Sequence, residues 1–107
     1  MNDEVTEKMM KRNRQPTAPG VILKKYYLEP RRLSIAGFAV ATGNSRKHVS
    51  NIVNGKASIS PDTAYRFSVV LETTAEFWLN LQNAVDLYDA GRKFARWRPA
   101  EIHPAAG

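Results

Sequence analysis

The chain has 107 residues, which suits one compact domain with flexible ends and leaves no room for a second enzyme-sized lobe. It contains no cysteine, so a disulfide framework, a thiolate metal cluster and a cysteine nucleophile are excluded. The formal net charge of +6 and the isoelectric point near 9.9 suit a polyanionic partner, although many proteins that bind no nucleic acid share such values.

Positive and negative residues are segregated along the chain. Residues 14–56 hold eight basic residues against one acid, Glu29, whereas residues 57–91 hold five acids against one base, Arg66. This change of sign within one domain indicates a basic surface and a separate acidic one. Chance scatter of charge in a short chain is the alternative interpretation.

Residues 1–18 are predicted to form a flexible arm, because they mix charges with Asn, Gln and Pro and have only a weak helical pattern. The polar start lacks the apolar run of a secretory signal, and charge interrupts every apolar stretch of the chain. We therefore expect an intracellular protein without a membrane partner, whose folded domain spans residues 19–91.

The first predicted helix spans Gly20–Leu28. Ile22 and Tyr26 pair at helical spacing, and Pro30 prevents continuation because proline lacks an amide proton and clashes with the preceding turn. Lys24 on this helix is expected to face solvent or a phosphate.

A helix, a tight turn and another helix are predicted next. Ser34 is suited to cap a short second helix that ends at Gly43, since glycine readily adopts the left-handed conformation of a C-cap. Ser45 is suited to cap a third helix that closes at Asn54-Gly55. Residues of these two helices recur at the spacing of one buried face, and all but Thr42 are apolar: Ile35, Phe38, Ala39, Thr42, Val49, Ile52 and Val53.

Two further helices complete the predicted domain. Ser60-Pro61 opens the fourth, with proline at its tolerated first position, and Thr74 or a neighbouring residue begins the fifth. The fifth helix is apolar over more than one face, which predicts a contact with a second copy of the chain. That dimer interface is predicted to contain Leu81, Gln82, Val85, Leu87 and Tyr88. Residues 92–107 are predicted to be a basic, aromatic tail that frays or orders on a partner.

The third helix has the properties of a DNA recognition helix. Such a helix needs an apolar inner face, outward hydrogen-bonding side chains and a small residue in the preceding turn. Arginine and lysine suit guanine, and asparagine suits adenine, so base contacts are predicted for Arg46, Lys47, His48, Ser50 and Asn51. Phosphate contacts are predicted for Ser34, Ser45, Asn54, Lys56 and Lys24. The alternative is plain helix packing with a solvated outer face.

The stretch LSIAGFAVATGNSRKHVSNIVNGKASISPDTA, residues 33–64, resembles the helix-turn-helix of the XRE/Cro-like repressors. The string FWLNLQNAVDL, residues 77–87, is similar to that of the HigA-type antitoxins of toxin–antitoxin operons. Asn44 departs from the resemblance, since an apolar residue is common at that place in the turn.

The resemblance, which covers about residues 19–90, implies an all-α, five-helix fold of the lambda-repressor-like type. It also implies a cytoplasmic bacterial homodimer, nucleoid-associated when bound to a palindromic DNA operator, and a RelE-like, mRNA-cleaving toxin as partner. The arm and the tail are the candidate toxin contacts by exclusion, and the acidic segment suits a basic toxin. A stand-alone repressor without a toxin remains the alternative.

No enzyme, metal or cofactor is predicted. His48 and His103 lie far apart without an HExxH motif or a carboxylate pair, and neither a Walker loop nor GxGxxG occurs. A module that binds anionic lipid through the basic, aromatic tail is the second alternative.

Overall fold

The computed structural model describes residues 14–105, and every regular element in that range is a helix. Helix α1 begins as an α-helical turn, Pro19–Ile22, and continues as a π-helical segment, Leu23–Leu28. Four α-helices follow: α2 Ile35–Thr42, α3 Arg46–Val53, α4 Pro61–Leu71 and α5 Ala75–Lys93. The predicted five-helix, all-α fold is confirmed.

Helices α2 to α5 begin where the sequence predicts their N-caps. Ser34, Ser45, Ser60 and Thr74 have extended backbones, and each side chain accepts a hydrogen bond from the amide three residues later. These bonds satisfy amides that have no partner inside the helix, which favours helix formation at these positions.

Two helix ends differ from the prediction. Helix α1 starts at Pro19 rather than Gly20, because proline is tolerated in the first turn, where no amide proton is required. Helix α5 runs to Lys93, beyond the predicted domain boundary at residue 91, and Arg92 and Lys93 lie in its last turn, where positive charge is favourable. No helix in residues 14–105 is long and apolar enough to cross a membrane.

Trp78 of α5 is the centre of the core and is completely buried. Its ring lies 5.2 Å from the ring of Tyr27 in α1 and 5.5 Å from that of Phe67 in α4, centroid to centroid. Phe67 in turn contacts Phe38 of α2 at 4.8 Å, edge to face. The indole nitrogen donates a hydrogen bond to Thr73 Oγ1 at 2.8 Å, so the buried polar atom has a partner.

Gly20 allows α1 to approach α3 closely. A Cβ atom at Gly20 would lie 2.0 Å from the carbonyl oxygen of Ile52 and 2.8 Å from Cα of Val53. Both atoms belong to the backbone, so no side chain can move aside to make room. The N-terminus of α1 therefore lies against the last turn of α3 only because residue 20 is glycine.

We expect Gly20→Ala to lower the free energy of unfolding by about 2–3 kcal/mol, because overpacking against backbone forces the helices apart. Gly91→Ala is the matched control, since a Cβ there meets nothing within 4 Å and alanine is the better helix former. Urea unfolding followed by circular dichroism measures both variants. Equal stability of Gly20→Ala and the wild type would contradict the close approach.

Candidate nucleic-acid interface

The turn between α2 and α3 is closed by a glycine in the left-handed region. Gly43 has φ 69°, and its amide donates to the Val40 carbonyl at 3.2 Å. The amide of Asn44 donates to the Ala39 carbonyl at 3.0 Å. This pair of bonds is a Schellman motif, which satisfies the last carbonyls of α2 and turns the chain sharply into α3.

Polar side chains fill the turn between α2 and α3. Asn44 Nδ2 donates to Thr42 Oγ1 at 3.0 Å, and Thr42 Oγ1 donates to the Phe38 carbonyl at 2.8 Å. Arg66 of α4 donates to the carbonyls of Thr42 at 3.0 Å and Gly43 at 3.2 Å. A positive charge therefore lies at the C-terminus of α2, where the helix dipole favours it.

The predicted base contacts on α3 differ in their exposure to solvent. Val49 and Ile52 are buried, and Arg46 and Lys47 at the N-terminal end are exposed. Asn51 is half-buried, and its carbonyl accepts amides from Lys56 at 2.7 Å and Ala57 at 3.2 Å. The structure therefore places Arg46, Lys47 and the Asn51 side chain on a helix with a buried inner face, as a recognition helix requires.

Two of the predicted base contacts have partners inside the chain. His48 is half-buried, and its Nε2 lies 3.4 Å from Thr63 Oγ1 of α4, so the ring faces α4 rather than outward as predicted. A base contact by His48 requires the ring to turn away from Thr63. Ser50 Oγ accepts a long hydrogen bond, 3.4 Å, from Asn54 Nδ2, which joins a predicted base contact to a predicted phosphate contact.

The two serine caps combine structural and binding capacity. Ser34 Oγ accepts from the amide of Gly37 at 2.9 Å, and Ser45 Oγ accepts from the amide of His48 at 3.0 Å. A serine hydroxyl that accepts in this way retains its proton as a donor, which suits a phosphate oxygen. Asn54, Lys24 and Lys56 are the other predicted phosphate contacts. Both lysines are exposed.

The predicted dimer residues of α5 lie in the half of the helix that leaves the core. Leu81, Val85 and Tyr88 are half-buried, and Leu87 is 72% exposed. Gln82, the other predicted dimer residue, is half-buried, and its Oε1 accepts a hydrogen bond from the amide of Ile59 in the same chain at 2.9 Å.

Residues 14–105 contain no group of three or more His, Cys, Asp or Glu side chains arranged to hold a metal ion. A cleft of about 160 Å³ lies between α5, the start of α1 and the loop after α3. The predicted base contacts all lie on α3, whereas Lys56, a predicted phosphate contact, lines this cleft together with Gln82 and Val85.

Sequence reasoning missed the side chains that connect distant parts of the chain. In the sequence, Arg66 is distinguished only as the single base of residues 57–91. In the structure it contacts the end of α2, at a sequence separation of 23 to 24 residues. Local periodicity carries no information about such pairs. The isolated positive charge on an amphipathic helix was the one available signal.

Comparison with known proteins agrees with this geometry. A helix-turn-helix family model matches residues 24–78. Antitoxin HigA-1 of Vibrio cholerae serotype O1 is 40% identical over 86 residues, which cover 80% of this chain and 81% of that protein. The chain belongs to the helix-turn-helix family of HigA-type antitoxins. An uncharacterized HTH-type transcriptional regulator of Haemophilus influenzae is 43% identical over 76 residues, 71% of each chain.

Solved structures of this family have the same fold. Antitoxin GraA in complex with its operator superimposes with a TM-score of 0.78 at 34% identity, covering 91% of this chain and 98% of that one. Pseudomonas aeruginosa antitoxin HigA with the higBA promoter gives a TM-score of 0.76 at 34% identity, covering 85% and 99%.

Substitution of a cap by aspartate separates capping from phosphate binding. Aspartate caps helices as well as serine does, so Ser45→Asp is expected to change the unfolding free energy by less than about 0.5 kcal/mol. Its negative charge would repel a phosphate, so DNA affinity is expected to fall roughly tenfold or more.

Thr74→Asp is the control for Ser45→Asp, because it places the same charge on the cap of α5, outside the helix-turn-helix. Its DNA affinity is expected to match that of the wild type in a gel-shift titration. Equal losses in the two variants would show a general charge effect and contradict the phosphate contact.

Proposed function

We propose that the protein is an antitoxin that binds a palindromic operator as a dimer, represses its own operon and neutralises a RelE-like, mRNA-cleaving toxin. The observation that carries DNA binding is the α2–turn–α3 unit, in which α3 is buried on one face and presents Arg46 and Lys47 on the other. Two relatives that were solved with DNA support it, antitoxin GraA with its operator and Pseudomonas aeruginosa antitoxin HigA with the higBA promoter, both at 34% identity.

In this proposal, α3 enters the major groove with its N-terminal residues towards the bases. Arg46 and Lys47 read guanine and Asn51 reads adenine, while Ser34, Ser45 and Lys56 position the helix on phosphates. Arg46 and Lys47 form no ion pair with another residue of the described chain, 14–105, so no such partner must be displaced on binding.

Alanine substitution distinguishes base contacts from phosphate contacts. Arg46→Ala and Asn51→Ala are each expected to weaken operator binding by about 1–3 kcal/mol and to relax specificity at single base pairs. Lys56→Ala is the comparison: it is expected to weaken binding to all sequences alike and to lower the salt slope by about 1. Binding to a panel of single-base operator variants measures both. A uniform loss for Arg46→Ala and Asn51→Ala would assign them to phosphate instead.

Two arguments support a dimer: a palindromic operator has two half-sites, and α5 has exposed apolar surface. A lone helix-turn-helix binds weakly, and two recognition helices about one helical turn apart, ~34 Å, read a palindrome. Leu87, 72% exposed, and the half-buried Leu81, Val85 and Tyr88 supply apolar surface for a twofold contact along α5. Gln82, the fifth predicted residue of this contact, lies on the same helix between Leu81 and Val85.

The segregation of charge supports a separate surface for the toxin. The helix-turn-helix is basic and is reserved for DNA, whereas residues 57–91 carry the acids that suit a basic partner. The tail adds Phe94 and Trp97, which are 51% and 60% exposed and stack edge to face on each other. Residues 1–13 of the arm, the other candidate contact, lie outside the described residues.

A search for a toxin-sized reading frame beside the gene is the first step of a direct test of the antitoxin role, and the protein that it encodes is the partner to purify. The two purified proteins are expected to form a complex in size-exclusion chromatography and to lose mRNA cleavage. Phe94→Ser with Trp97→Ser is expected to weaken that complex while operator binding is retained; Ile102→Ser, also exposed, is the control. Unimpeded ribonuclease activity and no complex with the wild type would favour the stand-alone repressor instead.

A further inference from the structure

Gln82 joins α5 to the loop that follows the recognition helix. Its Oε1 accepts the amide proton of Ile59 at 2.9 Å, and its Nε2 donates to Asp86 Oδ1 at 3.0 Å. A weaker contact, 3.4 Å, runs from Nε2 to Ser58 Oγ. Because a backbone amide can only donate, the Ile59 bond fixes the amide oxygen towards the loop and the NH₂ group towards Asp86.

The other end of this loop is bound to α3 itself. The amides of Lys56 and Ala57 donate to the carbonyl of Asn51 at 2.7 and 3.2 Å. Asn51 is also one of the residues whose side chain is predicted to contact a base. A continuous path of backbone and hydrogen bonds therefore runs from Gln82 through the loop to the last turn of the recognition helix.

Gln82 lies where α5 leaves the core. Trp78 is completely buried, and Leu81 is the last residue of α5 that packs against the core cluster. Beyond it, a cleft of about 160 Å³, lined in part by Lys56, Gln82 and Asp86, lies between the loop and α5. Ile59 anchors this end of the loop in the core, and the bond from its amide to Gln82 joins that anchor to α5.

Small rotations at this point have large effects on the distance between two recognition helices. From Trp78 to Tyr88, α5 is roughly 15 Å long at the usual rise, so a tilt of about 10° moves its far end by roughly 3 Å. In a twofold dimer both protomers tilt, and one base pair rises about 3.4 Å along the duplex. A tilt of this size is therefore enough to misplace one recognition helix by a base pair.

We infer that Gln82 is a positioning residue for operator reading: by holding loop 56–59 against α5, it fixes the orientation of α3 relative to the dimer helix. It thereby sets the spacing between half-sites that the dimer accepts. This role rests on the proposed function, since it requires a dimer formed through α5 and a palindromic operator. It reassigns Gln82 from the partner contact that the sequence predicts to a contact within the protomer.

Two substitutions at Gln82 isolate the bond to the loop. Gln82→Met has a similar length and removes the hydrogen bonds to Ile59, Asp86 and Ser58. Gln82→Glu retains an acceptor for the Ile59 amide, and it is combined with Asp86→Asn because its carboxylate would otherwise be repelled by that of Asp86, which lies 3.0 Å from the Gln82 amide nitrogen. Asn83→Met is the matched control, because Asn83 is an exposed amide on the next position of the same helix. Sedimentation equilibrium and thermal unfolding measure whether each variant is a folded dimer.

The test measures affinity for the operator, for duplexes with one base pair inserted or deleted between the half-sites, and for a single half-site. The wild type and Asn83→Met are expected to prefer the natural spacing at least tenfold. Gln82→Met is expected to lose roughly tenfold on the natural operator, to discriminate spacings less than about threefold, and to bind the single half-site as the wild type does. Gln82→Glu combined with Asp86→Asn is expected to recover much of the spacing preference.

The outcomes separate the inference from the function it rests on. An unchanged spacing preference in Gln82→Met overturns the positioning role, and so does an equal loss on the single half-site, which assigns Gln82 to the internal structure of the DNA-binding unit. A dissociated Gln82→Met chain places Gln82 in the dimer contact and also overturns it. Wild-type protein that is monomeric, or indifferent to paired half-sites, overturns the proposed function itself.

Discussion

The burial of Trp78 is the constraint on which the arrangement of the other helices depends. Its ring contacts Tyr27 in α1 and Phe67 in α4, and Phe67 contacts Phe38 in α2. One aromatic cluster thus connects four of the five helices, and a buried tryptophan of this kind contributes several kcal/mol by removing apolar surface from water. Helix α3 is held differently, by the close approach of α1 at Gly20 and by the buried face of Val49 and Ile52.

The sequence predicts those features of the structure that depend only on residues close together in the chain. Serine and threonine caps, proline in a first turn and glycine in a left-handed C-cap each act within a few residues, so their effects are predictable from neighbours alone. The helix ends at Ser34, Gly43, Ser45 and Thr74 accordingly lie where predicted. The π-helical form of Leu23–Leu28 was not predicted, since the apolar spacing of so short a segment does not separate it from an α-helix.

The candidate site was predictable to the level of the helix but not of every side chain. Arg46 and Lys47 are exposed on α3 as expected, whereas the ring of His48 lies beside Thr63, fifteen residues later in the chain. Gln82 reaches Ile59, and Arg66 reaches Thr42, across more than twenty residues. Such partners are determined by how the helices pack, and a single sequence specifies helical faces without specifying which atoms meet across them.

The contact of Arg66 with α2 has an electrostatic consequence beyond the turn. Because the only base of residues 57–91 is directed to the carbonyls of Thr42 and Gly43, the carboxylates of that segment are left without a base of their own segment beside them. The basic segment, residues 14–56, and the acidic segment, residues 57–91, therefore give the domain an electric dipole that interacts with the field of DNA. Encounters that present the acids of residues 57–91 first are less favourable than those that present Arg46 and Lys47 of α3, so the field of the duplex helps to orient the molecule as it approaches.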